Sequence, residues 1–365
     1  MAQDKKKKDF KSALHLMEGV EQPSSVNEQL LKKMKQKKTA EIQPEVLFEG
    51  LAKGNRVMLG KAITLIESNL DIHRDTARIM IELCLPLSGN SVRIGVTGVP
   101  GVGKSTFIEA IGMHLIEKGH KIAVLAVDPS SARSKGSILG DKTRMEHLAA
   151  HEHAFIRPSP SAGTLGGVTR KTHETIILCE AAGYDIIFVE TVGVGQSEVA
   201  VKNMVDFFLL LVLAGAGDEL QGIKRGIMEM ADAVIVHKAD EDNLLPALTK
   251  ITTYEHALHF FPTADSGWMP KVTECSSVTG HHIPEVWTIV KEYINHTKAN
   301  GYFQNNRQEQ EVRRLFVTLE EYLKTSFFNH PEIKAVFPSY EQKIRERKIS
   351  PYEAAGELIK RLNTL

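Results

Sequence analysis

The order of hydrophobic and polar positions divides the chain into four regions. Residues 1–44 are polar and rich in lysine, which predicts a solvated arm without a core of its own. Across 45–88, apolar residues recur at helical spacing, and we expect two or three amphipathic helices there. Residues 89–297 alternate short apolar runs with helical patterns, and 298–365 return to charged, amphipathic helices. The pattern predicts an α/β domain between an N-terminal helical segment and a C-terminal helical hairpin.

Six apolar runs in the α/β region have the length and composition of buried strands. They are Arg93–Gly98, Lys121–Asp128, Tyr184–Glu190, Phe207–Leu213, Ala233–Val236 and Val272–Cys275. Continuous apolar strands that alternate with helices are typical of a mostly parallel sheet covered by helices on both faces. Ligands of such sheets bind beyond the carboxyl ends of the strands. Glycines and acidic residues follow several of these runs, so we expect the functional site at that edge.

A glycine-rich loop follows the first predicted strand and fits the pattern G-x-x-x-x-G-K-[ST]. It comprises Gly98, Val99, Pro100, Gly101, Val102, Gly103, Lys104 and Ser105, and Thr106 continues into an apolar helical pattern. Strand, loop and helix in this order let backbone N–H groups and the helix N-terminus surround a phosphate. Lys104 would then reach the β- and γ-phosphates, and Ser105 would hold Mg²⁺. The sequence therefore predicts a nucleoside triphosphate site.

Three acidic residues are candidate Mg²⁺ ligands together with Ser105. Asp128 and Glu190 each end a predicted strand, whereas Asp141 lies in a loop with the sequence G-D-K-T-R. Mg²⁺ takes oxygen ligands, commonly one or two carboxylates in addition to the phosphates. The alternative role for each acid is a helix N-cap or a surface ion pair. The position after a strand favours the metal for Asp128 and Glu190, and both roles stay open for Asp141.

The segment E-T-V-G that begins at Glu190 stands where many GTPases have D-x-x-G. Gly193 would donate its N–H to the γ-phosphate, and Gln196 would orient the attacking water. Phosphoryl transfer requires the protein mainly to position groups and to neutralise charge. We therefore predict that Lys104, Glu190 and Gln196 carry hydrolysis, with a slow intrinsic rate that a partner raises.

Two further segments are candidates for reading the base. His237-Lys238-Ala239-Asp240 resembles N-K-x-D, in which the aspartate accepts hydrogen bonds from guanine groups that adenine lacks and the lysine stem lies along the base. Asparagine usually braces the phosphate loop at the first position, and His237 can imitate it only in part. A second base-contacting loop is expected at Ser276, Ser277 and Val278. GTP is favoured over ATP because the aspartate is intact.

Composition excludes several other classes of function. The formal net charge is zero with a quarter of the 365 residues charged, so the chain has no bias toward nucleic acid or membrane. Its longest apolar run, Phe207–Leu213, is far shorter than the roughly 20 residues that span a bilayer. Its three cysteines are widely separated, which suggests a reducing compartment. The lysine-rich start has neither the apolar core of a signal peptide nor the arginines of a transit peptide, and we expect a cytoplasmic protein.

These motifs together resemble the MeaB/ArgK/MMAA family of P-loop GTPases, relatives of the hydrogenase and urease nickel-insertion GTPases. The resemblance covers about residues 45–365 and includes the glycine-rich segment 215–225. It implies a homodimeric G-protein chaperone of an adenosylcobalamin-dependent acyl-CoA mutase, usually methylmalonyl-CoA mutase. Such proteins gate cofactor loading and protect the mutase, with GTP hydrolysis to GDP as the timer.

The resemblance also implies roles for particular residues. Lys104 and Ser105 would bind phosphate and Mg²⁺, and the metal would be surrounded by Asp128, Asp141 and Glu190. Segment 215–225 would be a switch that contacts the mutase, and the C-terminal helices would form the dimer. His237 departs from the family pattern.

Three alternative functions stay open. A nickel- or cobalt-insertion GTPase would need metal ligands, but only His151-x-His153 and His281-His282 stand out, without cysteine or acidic partners at metal-ligand spacing. A protein kinase of a transport system would transfer the γ-phosphate to a protein instead of to water. A scaffold would bind nucleotide without turnover, which the presence of Lys104, Ser105 and Glu190 disfavours.

Overall fold

A sheet of seven parallel strands lies at the centre of the computed structural model, which describes residues 43–68, 70–127, 145–158, 165–191, 197–214, 225–240 and 243–363. The strands are β1 (Val92–Gly98), β2 (Ile122–Val127), β3 (Ala154–Arg157), β4 (Ile186–Thr191), β5 (Phe207–Leu213), β6 (Ala233–His237) and β7 (Lys271–Cys275). Their spatial order is β3-β2-β4-β1-β5-β6-β7, and every neighbouring pair is parallel.

Helices precede, connect and follow the strands. In chain order they are α1 (Pro44–Ala52), α2 (Arg56–Glu67), α3 (Asp71–Cys84), α4 (Lys104–Glu117), α5 (Glu146–Ala150), α6 (Leu165–Ala181), α7 (Ser197–Lys202), α8 (Arg225–Met230), α9 (Leu244–Leu258), α10 (Ile283–Ala299), α11 (Tyr302–Asn329), α12 (Pro331–Arg345) and α13 (Pro351–Asn363), with a short 3₁₀ helix at Leu85–Leu87. The predicted α/β fold with helical extensions at both ends is confirmed. The C-terminal extension contains three helices instead of the expected hairpin.

The six predicted strands are all present; Phe207–Leu213 has the predicted bounds, and the ends of the other five differ by one or two residues. The sequence did not predict β3, a strand of four residues that lies at the edge of the sheet and, among the described strands, pairs with β2 alone. Four residues are too few to produce a recognisable alternation, and the strand has a neighbour on one side only. Edge strands of this kind are the least visible in a hydrophobicity pattern.

Apolar side chains cover the sheet on both faces, which explains why its strands are continuous apolar runs. One face packs against α4 and α10 through alternate strand residues such as Ile94, Phe188 and Leu209. The opposite face packs against α8 and α9 through Leu210, Val234 and their neighbours. Successive side chains along a strand point to opposite faces of the sheet, and both faces are covered, so the side chains on each face are buried.

The strand order places the functional edge beside β1. The chain leaves β1 toward β2 on one side, and after β4 it crosses to β5 on the other side of β1. Loops that follow β1 and its neighbours thus diverge in opposite directions. In an open parallel sheet such a reversal opens a crevice at the carboxyl ends of the strands.

The helices that precede the sheet pack against α6 and are tied to the domain through Glu67. The Glu67 carboxylate pairs with Arg157 of β3, and its backbone carbonyl accepts a hydrogen bond from Lys171 Nζ at 2.7 Å. Helix α2 begins at an N-cap, Asn55, whose side chain accepts hydrogen bonds from the N–H groups of Val57 and Met58.

Helix α11 attaches to the domain through polar side chains. Both carboxylate oxygens of Asp206 accept hydrogen bonds from Arg307, at 2.7 Å each, and the same guanidinium donates to the Ser91 carbonyl at 2.6 Å. One turn further, Gln310 Nε2 donates to the Val205 carbonyl at 2.8 Å. Phe303 of the same helix is buried in the core, so polar and apolar side chains together hold the side of α11 that faces the domain.

The opposite side of α11 is apolar and faces solvent. Val312, Leu315, Phe316, Leu319 and Leu323 are between 48% and 64% exposed. The sequence indicated that these residues form one apolar face that packs on the core or on a second subunit. In the part of the chain that the structure describes, this face does not pack on the core.

Two expectations drawn from composition can be compared with the described residues. None of the helices in these ranges is long and apolar enough to cross a membrane. Cys84, Cys179 and Cys275 are free and buried, and burial raises the pKa of Cys84 and of Cys275 to about 12.

We predict that Arg307→Ala lowers the free energy of unfolding by about 3 kcal/mol or more, because it leaves the Asp206 carboxylate buried without its main partner. Urea unfolding followed by circular dichroism measures the change. Arg78→Ala is the matched control, since the Arg78–Glu82 pair is exposed and should contribute about 0.5 kcal/mol or less. Equal losses in the two variants would contradict the assigned role of Arg307.

Candidate functional site

The backbone of the loop after β1 requires glycine at several positions. Gly101 and Gly103 have φ angles of 82° and 98°, in the left-handed region that other residues rarely adopt. At Gly103 there is also no room for a side chain, because a Cβ atom would lie 2.7 Å from Cε1 of His237. At Gly98 a Cβ atom would lie 2.5 Å from the Leu211 carbonyl oxygen of β5. The loop is thus held close to both neighbouring chain segments.

Lys104 is the first residue of α4, and Gly103 is its N-cap. The ammonium group is buried and donates hydrogen bonds to the carbonyl oxygens of Gly98 at 2.9 Å and Val99 at 3.4 Å. Its charge therefore lies inside the loop together with the positive end of the α4 dipole. Both features favour an anion such as a phosphate at this place.

Two side chains whose oxygen atoms could bind a metal ion meet beneath the loop, where β1 and β4 end. Ser105 Oγ donates a hydrogen bond to Glu190 Oε1 at 3.1 Å, and both side chains are buried. The parallel register sets Glu190 opposite Val96, two residues before Gly98. A hydroxyl and a carboxylate are ligands that Mg²⁺ accepts, so these two predicted residues fit the metal.

The other predicted residues of this part of the site lie outside the described residues: Asp128, Asp141, Gly193 and Gln196. The glycine-rich segment 215–224 and the arm before residue 43 also lie outside them. Strand β2 ends at Val127, opposite Thr191 of β4. The roles of these residues stay predictions.

The ends of β1 and β4 are joined by a contact that the sequence did not predict. Thr191 Oγ1 donates a hydrogen bond to Thr97 Oγ1 at 2.9 Å, and both threonines are buried. The only sequence signal was a polar residue near the end of each apolar run. This hydrogen bond fixes the end of β1, which leads into the glycine loop, relative to the end of β4, which carries Glu190.

His237 connects the phosphate side of the site to the base side. Its Nδ1 lies 2.7 Å from the Val102 carbonyl oxygen, and its Nε2 lies 2.6 Å from Ser277 Oγ. Because a carbonyl only accepts, the proton is on Nδ1, and Nε2 accepts a hydrogen bond from the Ser277 hydroxyl. Burial lowers the pKa of His237 below its ordinary value, which keeps the ring neutral.

The imidazole thus makes the bond to the phosphate loop that the sequence analysis assigned to the usual asparagine. It also makes a second bond, to a residue of the predicted base-contacting loop, which the sequence analysis did not foresee. Phe107 packs edge-on against the ring, with centroids 6.1 Å apart.

Lys238 and Asp240, which follow His237 in the chain, contact two different loops. Lys238 has a φ angle of 58°, and its Nζ donates to the Gly101 carbonyl at 2.9 Å. Asp240 Oδ1 accepts a hydrogen bond from the hydroxyl of Ser276. The Ala239 N–H donates to the Cys275 carbonyl at 3.1 Å, which aligns the two segments. The predicted base-reading residues are therefore brought together, with the side chain of Val278 exposed at the rim.

The chain is similar to proteins of one family over most of its length. A family model described as methylmalonyl-CoA mutase-associated GTPase MeaB matches residues 59–332. A probable GTPase of Mycobacterium tuberculosis is 48% identical over 310 residues, which cover 85% of this chain and 92% of that protein. The mitochondrial methylmalonic aciduria type A homolog of Mus musculus is 46% identical over 324 residues, with coverages of 86% and 78%. A crystal structure of an LAO/AO transport system kinase superposes with a TM-score of 0.68 at 37% identity, covering 88% and 98% of the two chains.

We predict that His237→Ala weakens GDP binding about tenfold or more, because it leaves the Val102 carbonyl without its donor, at a cost of about 1–3 kcal/mol. The side chain of His237→Asn supplies an N–H donor, so the GDP affinity of this variant should stay within about threefold of that of the natural protein. Titration calorimetry in Mg²⁺ at pH 7.5 compares the three proteins. Similar GDP affinities for all three proteins would show that the hydrogen bond from His237 to the Val102 carbonyl is not needed for binding.

The lowered pKa of His237 predicts a pH dependence of stability. As pH falls below about 6.5, the unfolded chain takes up the proton before the folded chain does, so folding loses free energy. The stability that neutral His237 contributes is present above that pH and is lost as pH falls through the lowered folded-state pKa. The melting temperature of the natural protein should therefore decrease relative to that of His237→Asn between pH 7.5 and pH 5. Parallel curves would contradict this assignment.

Proposed function

The chain belongs to the MeaB family of P-loop GTPases, and we propose that it is the Mg²⁺-dependent chaperone of an adenosylcobalamin-dependent acyl-CoA mutase. The client that the family description favours is methylmalonyl-CoA mutase. In this proposal GTP hydrolysis gates the loading of the cofactor and protects the mutase from inactivation. A cytoplasmic location is part of the same proposal.

The observation that supports the nucleotide chemistry best is the buried contact between Ser105 Oγ and Glu190 Oε1 at 3.1 Å, directly beneath the glycine loop. Ser105 and Glu190 would hold Mg²⁺, with Asp128 and Asp141 as further proposed ligands. The ion, when bound, neutralises charge on the phosphates. Hard oxygen donors in a buried position suit this ion better than they suit a softer metal.

Hydrolysis requires a water oxygen to bond to the γ-phosphorus while the bond to the β–γ bridging oxygen breaks. Negative charge then moves onto the bridging oxygen, which becomes part of the GDP leaving group. Lys104 and the N-terminus of α4, which meet at the glycine loop, would stabilise that charge. Gly193 would bind the γ-phosphate and Gln196 would orient the water.

Guanine selectivity would come from Asp240. A carboxylate accepts hydrogen bonds from N1–H and from the exocyclic amine of guanine, and adenine presents neither group in that arrangement. Ser276 holds one oxygen of this carboxylate and so fixes its orientation. The stem of Lys238 would cover one face of the base.

We predict that a mutase co-purifies with this chain and changes its rate of GTP hydrolysis. Phosphate release is measured with Mg²⁺, with and without purified methylmalonyl-CoA mutase, and cofactor loading is followed by the cobalamin absorption spectrum. Lys104→Ala should remove both the hydrolysis and its effect on loading, because phosphate loses its cationic partner.

Three outcomes would count against parts of the proposal. An unchanged rate with no associated mutase would refute the chaperone role and leave the GTPase standing. Transfer of labelled γ-phosphate to a protein would favour the transport-kinase alternative. Nucleotide binding without phosphate release would favour a scaffold.

We also propose that the protein is a homodimer joined through the apolar face of α11. Val312, Leu315, Phe316, Leu319 and Leu323 form a continuous exposed stripe on a helix of 28 residues. Burying such a stripe would remove several large side chains from water, at about 1.5–3 kcal/mol for each side chain fully buried. A second copy presents the same stripe, and a two-fold contact would cover both.

The dimer is tested by replacing Leu315 and Phe316 together with aspartate. Light scattering should give twice the chain mass of 40.5 kDa for the natural protein and the chain mass alone for the double variant. Phe260→Asp is the matched control, because Phe260 is 83% exposed on a different part of the surface. A double variant that keeps the natural mass, or a control that loses it equally, would contradict the proposed interface.

A further inference from the structure

Three side chains with metal-binding atoms converge at the end of β7. Glu274, His281 and His282 each place one ligand atom within 4.8 Å of the others, and in the described ranges no other group of three does so. Nδ1 of His282 lies 3.0 Å from Oε1 of Glu274, and Nε2 of His281 lies 3.7 Å from the same oxygen. Spacing along the chain did not predict an acidic partner for these histidines, and the fold supplies one.

The cluster is both anchored and accessible. The Glu274 side chain is 8% exposed, whereas those of His281 and His282 are 40% and 35% exposed. The two imidazoles stack with centroids 3.9 Å apart and an angle of 18° between the rings. A small ion can therefore reach the histidines from solvent while the carboxylate is fixed by the sheet.

The backbone at the cluster is also unusual. His282 has a φ angle of 55° at the N-cap of α10, a conformation that glycine adopts without cost. Residues held in such regions cluster at ligand sites. An ion pair between Glu274 and His282 would use one imidazole. It would not explain why the ring of His281 also lies near Oε1 of Glu274.

We propose that Glu274, His281 and His282 bind a divalent transition-metal ion of the Zn²⁺ type, and that this ion stabilises the base-contacting loop. Two imidazole nitrogens and one carboxylate oxygen, with water in the fourth position, form a common tetrahedral zinc environment. This donor set differs from the all-oxygen set of Mg²⁺, so the site is distinct from the one at Ser105 and Glu190.

The link to the nucleotide site lies in the residues between the ligands. The Ser276 N–H donates to the His281 carbonyl at 3.1 Å, which closes the loop between Glu274 and the histidines. From this loop, Ser276 contacts Asp240, and Ser277 contacts His237 Nε2 at 2.6 Å. An ion that joins both ends of the loop would hold these contacts in place. This second half of the inference rests on the proposed guanine-reading function, whereas the metal site itself does not.

The metal site is tested on untagged, chelator-treated full-length protein by titration with Co²⁺ and Zn²⁺. We expect one equivalent of Co²⁺ with a tetrahedral visible spectrum, displaced by Zn²⁺. His281→Gln should weaken Zn²⁺ binding about tenfold or more, since even residues behind the ligands affect affinity by about that factor. Glu274→Gln should do the same and serves as the second variant.

The matched control is His153→Gln, from the other histidine pair. His151 and His153 have ring centroids 5.5 Å apart and belong to no three-member group within the described ranges. His153→Gln should bind Zn²⁺ as the natural protein does. Absence of stoichiometric binding in the natural protein, or an unchanged affinity in His281→Gln, would overturn the site.

The link to nucleotide is tested by measuring GDP affinity with and without Zn²⁺, in excess Mg²⁺ so that the phosphates are already occupied. We expect Zn²⁺ to raise GDP affinity about fivefold, the lower end of common couplings between two sites. His281→Gln should abolish the increase, and an equal affinity in the natural protein would overturn the link. If Zn²⁺ does not change GDP affinity but GTP hydrolysis is normal, the result counts against this inference alone. Absence of GTP hydrolysis in the natural protein counts against the proposed function.

Discussion

The hydrogen bond from His237 Nδ1 to the Val102 carbonyl is the contact on which the rest of the site depends. The phosphate loop follows β1, while His237 ends β6, and β5 lies between these two strands. The imidazole, together with the bond from Lys238 Nζ to the Gly101 carbonyl, sets the distance between the loop and β6. The ring requires glycine at position 103 because it occupies the space of a side chain. Burial keeps the ring neutral, with a donor on one side and an acceptor on the other.

Much of this arrangement could be predicted from sequence, for identifiable physical reasons. Strands buried on both faces are continuous apolar runs, and the glycine loop has a fixed residue spacing. Both β1 and its loop could therefore be predicted from the sequence. The four-residue β3 gave no periodic signal. The partner of His237 Nε2 and the approach of Glu274 to His281 depend on how distant loops fold back. Spacing along the chain carries no information about such contacts.

A buried ionic network at the amino ends of the strands complements the binding edge at their carboxyl ends. Asp206 accepts hydrogen bonds from Arg307 and from the backbone N–H of Arg93, whose side chain pairs with Glu180. Burial alone would raise the pKa of Glu180, but the charge of Arg93 and several hydrogen bonds outweigh it and lower that pKa. Replacing a whole buried ion pair by apolar side chains often changes stability little, whereas removing one partner leaves an uncompensated buried charge. The network therefore makes the seating of α11 sensitive to the loss of any one of its members.

The reversed polarity of α11 separates two kinds of adhesion on a single helix. Its inner side is held mainly by charged and polar groups beside the buried Phe303, and its outer side exposes five large apolar side chains. Cooling weakens hydrophobic adhesion near room temperature and leaves hydrogen bonds largely intact, whereas excluded salts such as sulfate strengthen the hydrophobic kind. Cold storage would therefore weaken any association through the outer side more than the polar contacts of the inner side, and salting-out would strengthen it.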